Sequence, residues 1–268
     1  MARSTSGESV LTRAMRVLRA FGAGTPALTV SEIARHADLP VTTAHRMVRE
    51  LVALGALEPA PGKRVRVGYQ LWEIASLSSP VRDLSRTALP FMEDLHAVVR
   101  EHTQLGVLEG TDVLYLERLS ARDAGHNAAE IAGRLPVHAT STGLVLLAHG
   151  PAALQERVLG GRPRQHTPHT VTDPTDLRRL LAAVRRDGYA IASRMIDPGA
   201  VGLAAPVRDR DDRVVAALSV VVPFRDDAPA RTYVPVLLAA ARGISRAMGA
   251  PLPGGDAIRT RGHRAPPG

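Results

Sequence analysis

Four clusters in this 268-residue chain combine residue types at spacings that could do chemistry. The first is Thr42, Thr43, His45, Arg46 and Arg49, interleaved with the apolar Ala44, Met47, Val48 and Leu51. At helical spacing the apolar set falls on one face and the polar set on the other. Hydroxyls, an imidazole and guanidinium groups near the start of a helix are what base edges in a major groove require. The second cluster, Lys63, Arg64 and Arg66, places three cations beside a Pro-Gly turn, suited to phosphate oxygens. The third, His138-Ala139-Thr140-Ser141-Thr142-Gly143, sets hydroxyls and unpaired backbone N–H groups at an expected helix start, a natural seat for a carboxylate. The fourth, His166-Thr167-Pro168-His169, is a histidine pair with no further spaced ligands and reads as solvated surface.

Catalysis finds little support in the same residues. There is no cysteine, which excludes disulfides, thiolate metal sites and cysteine nucleophiles. No P-loop and no Gly-x-Gly-x-x-Gly turn is present. His138 and Ser141 with Asp173, Asp187 or Asp197 would supply the parts of a hydrolytic triad, but the Gly-x-Ser-x-Gly elbow is missing. The expectation is a chain without catalytic residues, metal or cofactor.

Charge sits unevenly. The net charge is +8, and residues 1–70 hold ten Lys/Arg against five Asp/Glu, whereas residues 71–250 are almost neutral with 21 against 20. A basic segment joined to a neutral body implies a polyanion-binding module attached to a part with another kind of partner. Aromatic residues are only 3%, too few for the stacking platforms of single-strand binders, so the polyanion expected is duplex DNA. The first residues lack a charged start followed by an apolar core, and no apolar run is long enough for a membrane span, which predicts a cytoplasmic protein with no membrane partner.

The elements that must position these clusters follow from periodicity. Ser9 to Phe21 reads as an amphipathic helix, and a short helix capped by Thr29 or Ser31 follows. After Asp38-Leu39-Pro40 a third helix, with Thr42 as its cap, runs to Leu54 and is closed by Gly55. A hairpin turning at Pro59-Ala60-Pro61-Gly62 carries the three cations, completing a winged helix-turn-helix over 9–71. Residues 1–8 are expected to be a flexible start and 72–83 a linker helix region. Over 84–250, helices around Leu84, Leu89, Phe91, Leu95 and Val98 are interrupted at Pro90, and strands are expected at 103–108, 113–119, 189–195, 201–207 and 214–223. Helices at 142–149, 174–186 and 230–248 complete an α+β domain with a mainly antiparallel sheet. The Pro/Gly/Arg-rich 251–268 reads as a disordered tail.

The runs Ser9-Val-Leu-Thr-Arg-Ala-Met-Arg-Val-Leu18, Leu28-Thr-Val-Ser-Glu-Ile-Ala34 and Leu39-Pro-Val-Thr-Thr-Ala-His-Arg-Met-Val48 resemble the DNA-binding domain of IclR-type transcriptional regulators. The likeness continues through Leu71-Trp-Glu-Ile-Ala75, Leu135-Pro-Val-His-Ala-Thr140, Asp187-Gly-Tyr-Ala190, Gly202-Leu-Ala-Ala-Pro-Val207 and Val214-Val-Ala-Ala-Leu-Ser-Val220. This resemblance implies a GAF-like effector domain, a homodimer or homotetramer, and operator binding that changes when a small molecule occupies the C-terminal domain. It also implies an effector site formed by Thr140, Ser141, Thr142 and Gly143 with Gly202, Ser219 and Val221. The chain departs from the family pattern where Gly202 replaces a frequent cysteine, Val221-Val222 a Ser-Gly pair, and Arg194-Met195 an acidic pair. Lost polar groups predict a roomier, more apolar cavity for a larger or aromatic effector, with Arg194 as a candidate partner for an acid. The competing expectation is a second domain that only oligomerises.

Overall fold

A computed structural model describes residues 8–22, 25–78, 80–122, 124, 127–129, 131–226 and 230–251. The expectations for the first seven residues and for the tail beyond Pro251 lie outside these residues. The chain divides into two compact units between Pro80 and Val81.

In the first unit, α1 (Val10–Leu18) starts at the Ser9 cap and stops three residues short of the expected Phe21. Arg16, on the polar side of α1, is a fastener. Its guanidinium takes the carbonyl oxygens of Ala37 and Asp38, and the carboxylate of Glu8 at 2.9 Å, so Glu8 is tied down although the sequence places it in the flexible start. Strand β1 (Ala27–Thr29), absent from the sequence expectation, leads into α2 (Val30–His36). Thr29 caps α2 in a reciprocal box with Glu32, and the Thr29 backbone N–H and hydroxyl hold the Glu32 carboxyl below its ordinary range.

Helix α3 (Val41–Ala53) begins two residues earlier than expected from a Thr42 cap. Pro40 is its N-cap and no side chain caps it, so Thr42 is an exposed residue of the first turn instead of the cap. Proline suits this boundary because its fixed φ directs the chain into the helix. The wing is β2 (Leu57–Ala60) and β3 (Arg64–Val67), and its turn is Pro61-Gly62-Lys63 because β2 extends through the residues expected to turn. Strand β1 pairs with β3 to complete a three-stranded sheet. Val17, Leu28, Ile33, Met47, Val48 and Leu57 form the core of this unit. Helix α4 (Tyr69–Ser78) follows.

The second unit opens with α5 (Pro80–Val99), one continuous helix of 20 residues that passes through Pro90 without the expected break. Proline removes a single internal hydrogen bond. That loss is offset by a buried stripe, Leu84, Ala88, Met92, Leu95 and Val99, spaced three and four apart. The stripe differs from the one expected, since Val98 is 62% exposed.

Behind α5 lies a six-stranded, wholly antiparallel sheet in the order β6-β5-β4-β9-β8-β7. Its strands are β4 (His102–Glu109), β5 (Asp112–Ser120), β6 (Arg134–Pro136), β7 (Ala190–Ser193), β8 (Ala200–Arg208) and β9 (Val214–Pro223). One face carries Leu105, Leu203, Leu218 and Val220 and packs in one core with α5 and α9 (Val234–Ala247). The first turn of the expected helix over 230–248 is a separate 3-10 turn, Ala230–Tyr233, with Pro235 just inside α9. The other face carries small residues, Ala190, Ala192, Ala204 and Ala217, and receives α6 (Ser141–His149), α7 (Ala152–Gly160) and α8 (Pro174–Asp187). Helix α7 and strand β6 are elements the sequence reading missed.

Between Leu105 and Gly106 the pairing of β4 with β5 shifts, from Leu105 opposite Glu117 to Gly106 opposite Tyr115. The extra residue, Leu116, resets the alternation of β5, as a bulge does. Replacing Met92 with Ala is expected to cost about 2–5 kcal/mol of stability, whereas Val98→Ala changes it by no more than about 0.5 kcal/mol. Urea denaturation followed by circular dichroism checks the contrast, and equal losses would mean the buried stripe is misassigned.

Candidate functional site

On α3 the side chains of Ala44, Met47 and Val48 are buried, leaving Thr42, His45, Arg46 and Arg49 exposed and Thr43 half-buried. The sequence assignment of faces holds, and the outward face carries two guanidinium groups and no carboxylate before Glu50. The wing cations are less available than their types implied. Arg64 donates to the Ala27 carbonyl at 2.9 Å and lies 3.8 Å from Glu32, while Arg66 pairs with Glu58 at 2.5 Å and stacks over Tyr69. Lys63, at the tip with positive φ, projects from the turn.

In the second unit a partly open cavity lies on the small-residue face of the sheet at the start of α6. Small residues place it there. A Cβ on Gly202 would stand 2.7 Å from the Ser141 Oγ, and one on Gly106 would stand 2.8 Å from the Thr142 methyl group. These two glycines let the first turn of α6 settle onto β4 and β8. Gly143 does the same against the preceding loop, since a Cβ there would meet the Val137 backbone at 2.4 Å. Thr140 is the N-cap, and its hydroxyl accepts the Gly143 N–H at 3.1 Å.

Thr140, Ser141, Thr142, Gly202 and Val221 line the cavity, as the sequence implied. Gly143, Ser219 and Arg194 do not. Gly143 backs the helix start against Val137, and Ser219 lies beneath the floor, accepting from Thr142 Oγ1 at 2.9 Å and donating to Gln104 Oε1 at 3.4 Å. Arg194 sits at φ +56° with its guanidinium 4.1 Å above the Phe224 ring. It therefore leaves the acid no cation in the cavity, and Asp197 is the one charged side chain among the described lining residues. The space expected at Gly202 is taken by the Ser141 hydroxyl.

The lining residues that sequence reasoning missed include Gln104, Tyr115, Asn127, Ala129, Leu135, Met195 and Asp197. Gln104 and Tyr115 share a face only because of the β5 bulge, which simple alternation cannot reveal. Tyr115 is buried with its hydroxyl among those of Thr142 and Thr140, and burial pushes the phenol above its ordinary pKa, so it stays protonated. The wall over Met195 is held from outside. Thr167 donates to the Arg194 carbonyl at 2.6 Å and Thr170 to the Met195 carbonyl at 2.5 Å. Thus the His166–His169 loop braces the cavity through its threonines. His138 turns its Nε2 toward the Arg164 carbonyl at 2.9 Å.

Two family models match the chain: the IclR helix-turn-helix domain over residues 10–61, and the bacterial transcriptional regulator IclR C-terminal domain over 76–246. The chain belongs to the IclR family. It is 30% identical over 243 residues to the HTH-type transcriptional regulator XynR of Escherichia coli, covering 89% of this chain and 96% of that one. It is 33% identical to the glycerol operon regulatory protein of Streptomyces griseus, covering 90% and 96%. Among solved structures, an IclR homolog from Microbacterium hydrocarbonoxydans complexed with 4-hydroxybenzoate shares 47% identity with a TM-score of 0.85, covering 90% of this chain and 99% of that one. A ligand-responsive, DNA-binding regulator of transcription is therefore what this IclR-family chain is, and the two units carry the two roles. Among its described residues no helix is long and apolar enough to cross a membrane.

If the close seating of α6 builds the cavity, Gly143→Ala should disturb it out of proportion to one methyl group. The expected cost is about 1–3 kcal/mol, because the contact is with backbone that cannot rotate away. Thermal unfolding of the variant measures it, and an unchanged melting temperature would show that the helix start is not seated as described.

Proposed function

We propose that this protein is a cytoplasmic homodimer, able to pair further into a tetramer, that reads operator DNA through α3 and releases or regrips it when an aromatic monocarboxylic acid fills the cavity of the second unit. The observation that carries the effector class is the cavity itself. Its walls include Ala129, Leu135, Ala139, Ala192, Met195, Ile196 and Val221, and polar donors are gathered at the α6 start. A flat apolar body with one anionic end matches that division. The 4-hydroxybenzoate bound to the Microbacterium homolog, at 47% identity, supports the same class. The acid is bound and released unchanged.

In this reading Thr43, His45 and Arg46 contact bases, with Thr42 beside them, and Arg49, Lys63, Arg64 and Arg66 hold phosphates. Two copies are required to place two such helices on a pseudo-palindromic site. A second copy is also what would cover the apolar side chains exposed on α1 and α4: Val10, Leu11 and Met15 on the first, Tyr69, Trp72 and Leu77 on the second. Effector binding shifts the population of dimer arrangements that match the operator spacing.

Fluorescence anisotropy against duplex DNA from upstream of the chain's own gene, beside a scrambled duplex, tests the whole reading. Specific binding that changes on adding 4-hydroxybenzoate is expected. No change in either operator affinity or melting temperature with any aromatic acid would leave the second unit as an oligomerisation domain. Within that assay Arg46→Ala should cost about 1–3 kcal/mol on the operator and narrow the gap to the scrambled duplex. Lys63→Ala should weaken both duplexes alike, being the wing cation least tied to the protein. Equal losses with unchanged preference would place the base-reading face elsewhere.

Trp72 is the single tryptophan of the chain and is 66% exposed on α4, so it reports on the pairing. Dilution of a dimer should red-shift its emission, and Leu77→Glu should yield monomers with weakened operator binding. Sedimentation showing the Leu77→Glu variant still dimeric would remove this surface from the interface.

A further inference from the structure

Two side-chain amides, one of the buried Gln104 and one of the half-buried Asn127, belong to residues that line the effector cavity, and in both the oxygen is occupied while the nitrogen is buried with no protein partner. Asn127 accepts the Ala129 backbone N–H on its Oδ1 at 3.0 Å, while its Nδ2 is buried without an acceptor. A backbone N–H can only donate, so the orientation of the Asn127 amide is settled by that bond. Gln104 is 1% exposed on β4. Its Oε1 accepts from Ser219 Oγ, whose own acceptor capacity is used by Thr142 Oγ1, and its Nε2 has no acceptor. In the chain Thr142 to Ser219 to Gln104 each hydroxyl donates onward, and the amide nitrogen at its end is left without an acceptor.

Buried polar groups are nearly always paired, and each exception asks for an explanation. Six such atoms occur among the described residues, and these two are the ones that belong to cavity-lining residues. Both are donors. Nearby, the first-turn N–H groups of Ser141 and Thr142 have no carbonyl within α6 to serve, whereas that of Gly143 is taken by Thr140. No Lys, Arg or His is among the described lining residues. The one carboxylate among the described lining residues, Asp197, already accepts the Gly199 N–H on its Oδ1 at 2.7 Å, so the unpaired groups of the lining are neutral donors, and they call for a ligand that brings acceptor oxygens.

We propose that Gln104 and Asn127 are specificity-determining residues of the effector site, two neutral amide donors that, with the start of α6, bind the oxygen atoms of an organic acid in place of a cationic side chain. This rests on the effector reading above and adds the groups that recognise the acid. Neutral donors also set what is rejected. The methyl ester and the carboxamide of an acid keep its shape but offer fewer or weaker acceptor positions, so they bind less tightly than the carboxylate.

The test is calorimetry of the full chain with 4-hydroxybenzoate as the probe, its methyl ester and 4-hydroxybenzamide as controls, and the variants Gln104→Met, Gln104→Glu and Asn127→Leu. Gln104→Met keeps the shape and removes the donor, and should raise Kd roughly 10- to 100-fold. Gln104→Glu keeps the bond from Ser219 and turns a donor into a like charge, so its loss should be larger. The melting temperature of Gln104→Met without ligand should change little, because the gain from removing an unpaired buried nitrogen is set against the acceptor lost by the Ser219 hydroxyl, whereas a purely structural glutamine would give a clear loss. Should Gln104→Met fold poorly, Gln104→Glu and Asn127→Leu carry the test. Wild-type binding that all three variants retain within a factor of two or so would overturn the proposal while leaving the effector reading intact. If the wild-type chain binds neither 4-hydroxybenzoate nor benzoate, the effector reading fails and the proposal fails with it.

Discussion

The second unit depends on one close contact, the first turn of α6 lying directly on the sheet. Gly106 and Gly202 below and Gly143 on the helix make it sterically possible. The hydrogen bond from Thr142 to Ser219 makes it polar at its centre, in a place where burial is otherwise complete. The cavity is the space left where that turn meets β4, β5, β8 and β9, so its shape and the helix position are one variable. A molecule that pushes on the helix start is felt by α8, which shares the core of α6 through Leu177, Leu181 and Val184. Cores of this density transmit displacement instead of absorbing it.

The two faces of the sheet divide the work. Residues with large side chains, Leu203, Leu218, Val220 and Val222, join α5 and α9 in a conventional packed layer. Alternate residues on the same strands, Gly202, Ala204, Ala217 and Ser219, are small and leave room for a helix start and a ligand. One face thus supplies stability that the other can give up. The unpaired amide nitrogens of Gln104 and Asn127 fit this division, since a site built for a ligand carries groups that its own protein does not satisfy.

Much of this was legible in the sequence, and the exceptions have physical causes. The helix-turn-helix, the order of strands and the start of α6 follow from periodicity and capping residues, which are local signals. Pro90 was misleading because helix interiors tolerate proline when a stripe such as Leu84, Ala88, Met92 and Leu95 outweighs one hydrogen bond. Thr42 was misassigned because Pro40 can serve as the boundary residue without a side-chain cap. Of the effector residues expected, Thr140, Ser141, Thr142, Gly202 and Val221 line the cavity, the last two having been named through family resemblance. Tyr115 was missed because the bulge at Leu116 changes which residues of β5 face the cavity, and Gln104 because its place opposite Ser219 is a long-range pairing that no local signal shows. Arg194 was misplaced because a type of side chain says nothing of the left-handed backbone that turns it onto Phe224.

The pairing of Arg64 with Glu32 and of Arg66 with Glu58 bears on how this protein meets DNA. Cations already neutralised by carboxylates displace few counterions from a duplex, and the salt sensitivity of binding counts only the charges that do. The count of ten cations in residues 1–70 therefore overstates how many are ready for phosphates, since Glu32 and Glu58 are among the five carboxylates set against them. In the reading proposed above, Lys63 counts in full toward that sensitivity, and Arg64 and Arg66 only as far as DNA draws them from Glu32 and Glu58.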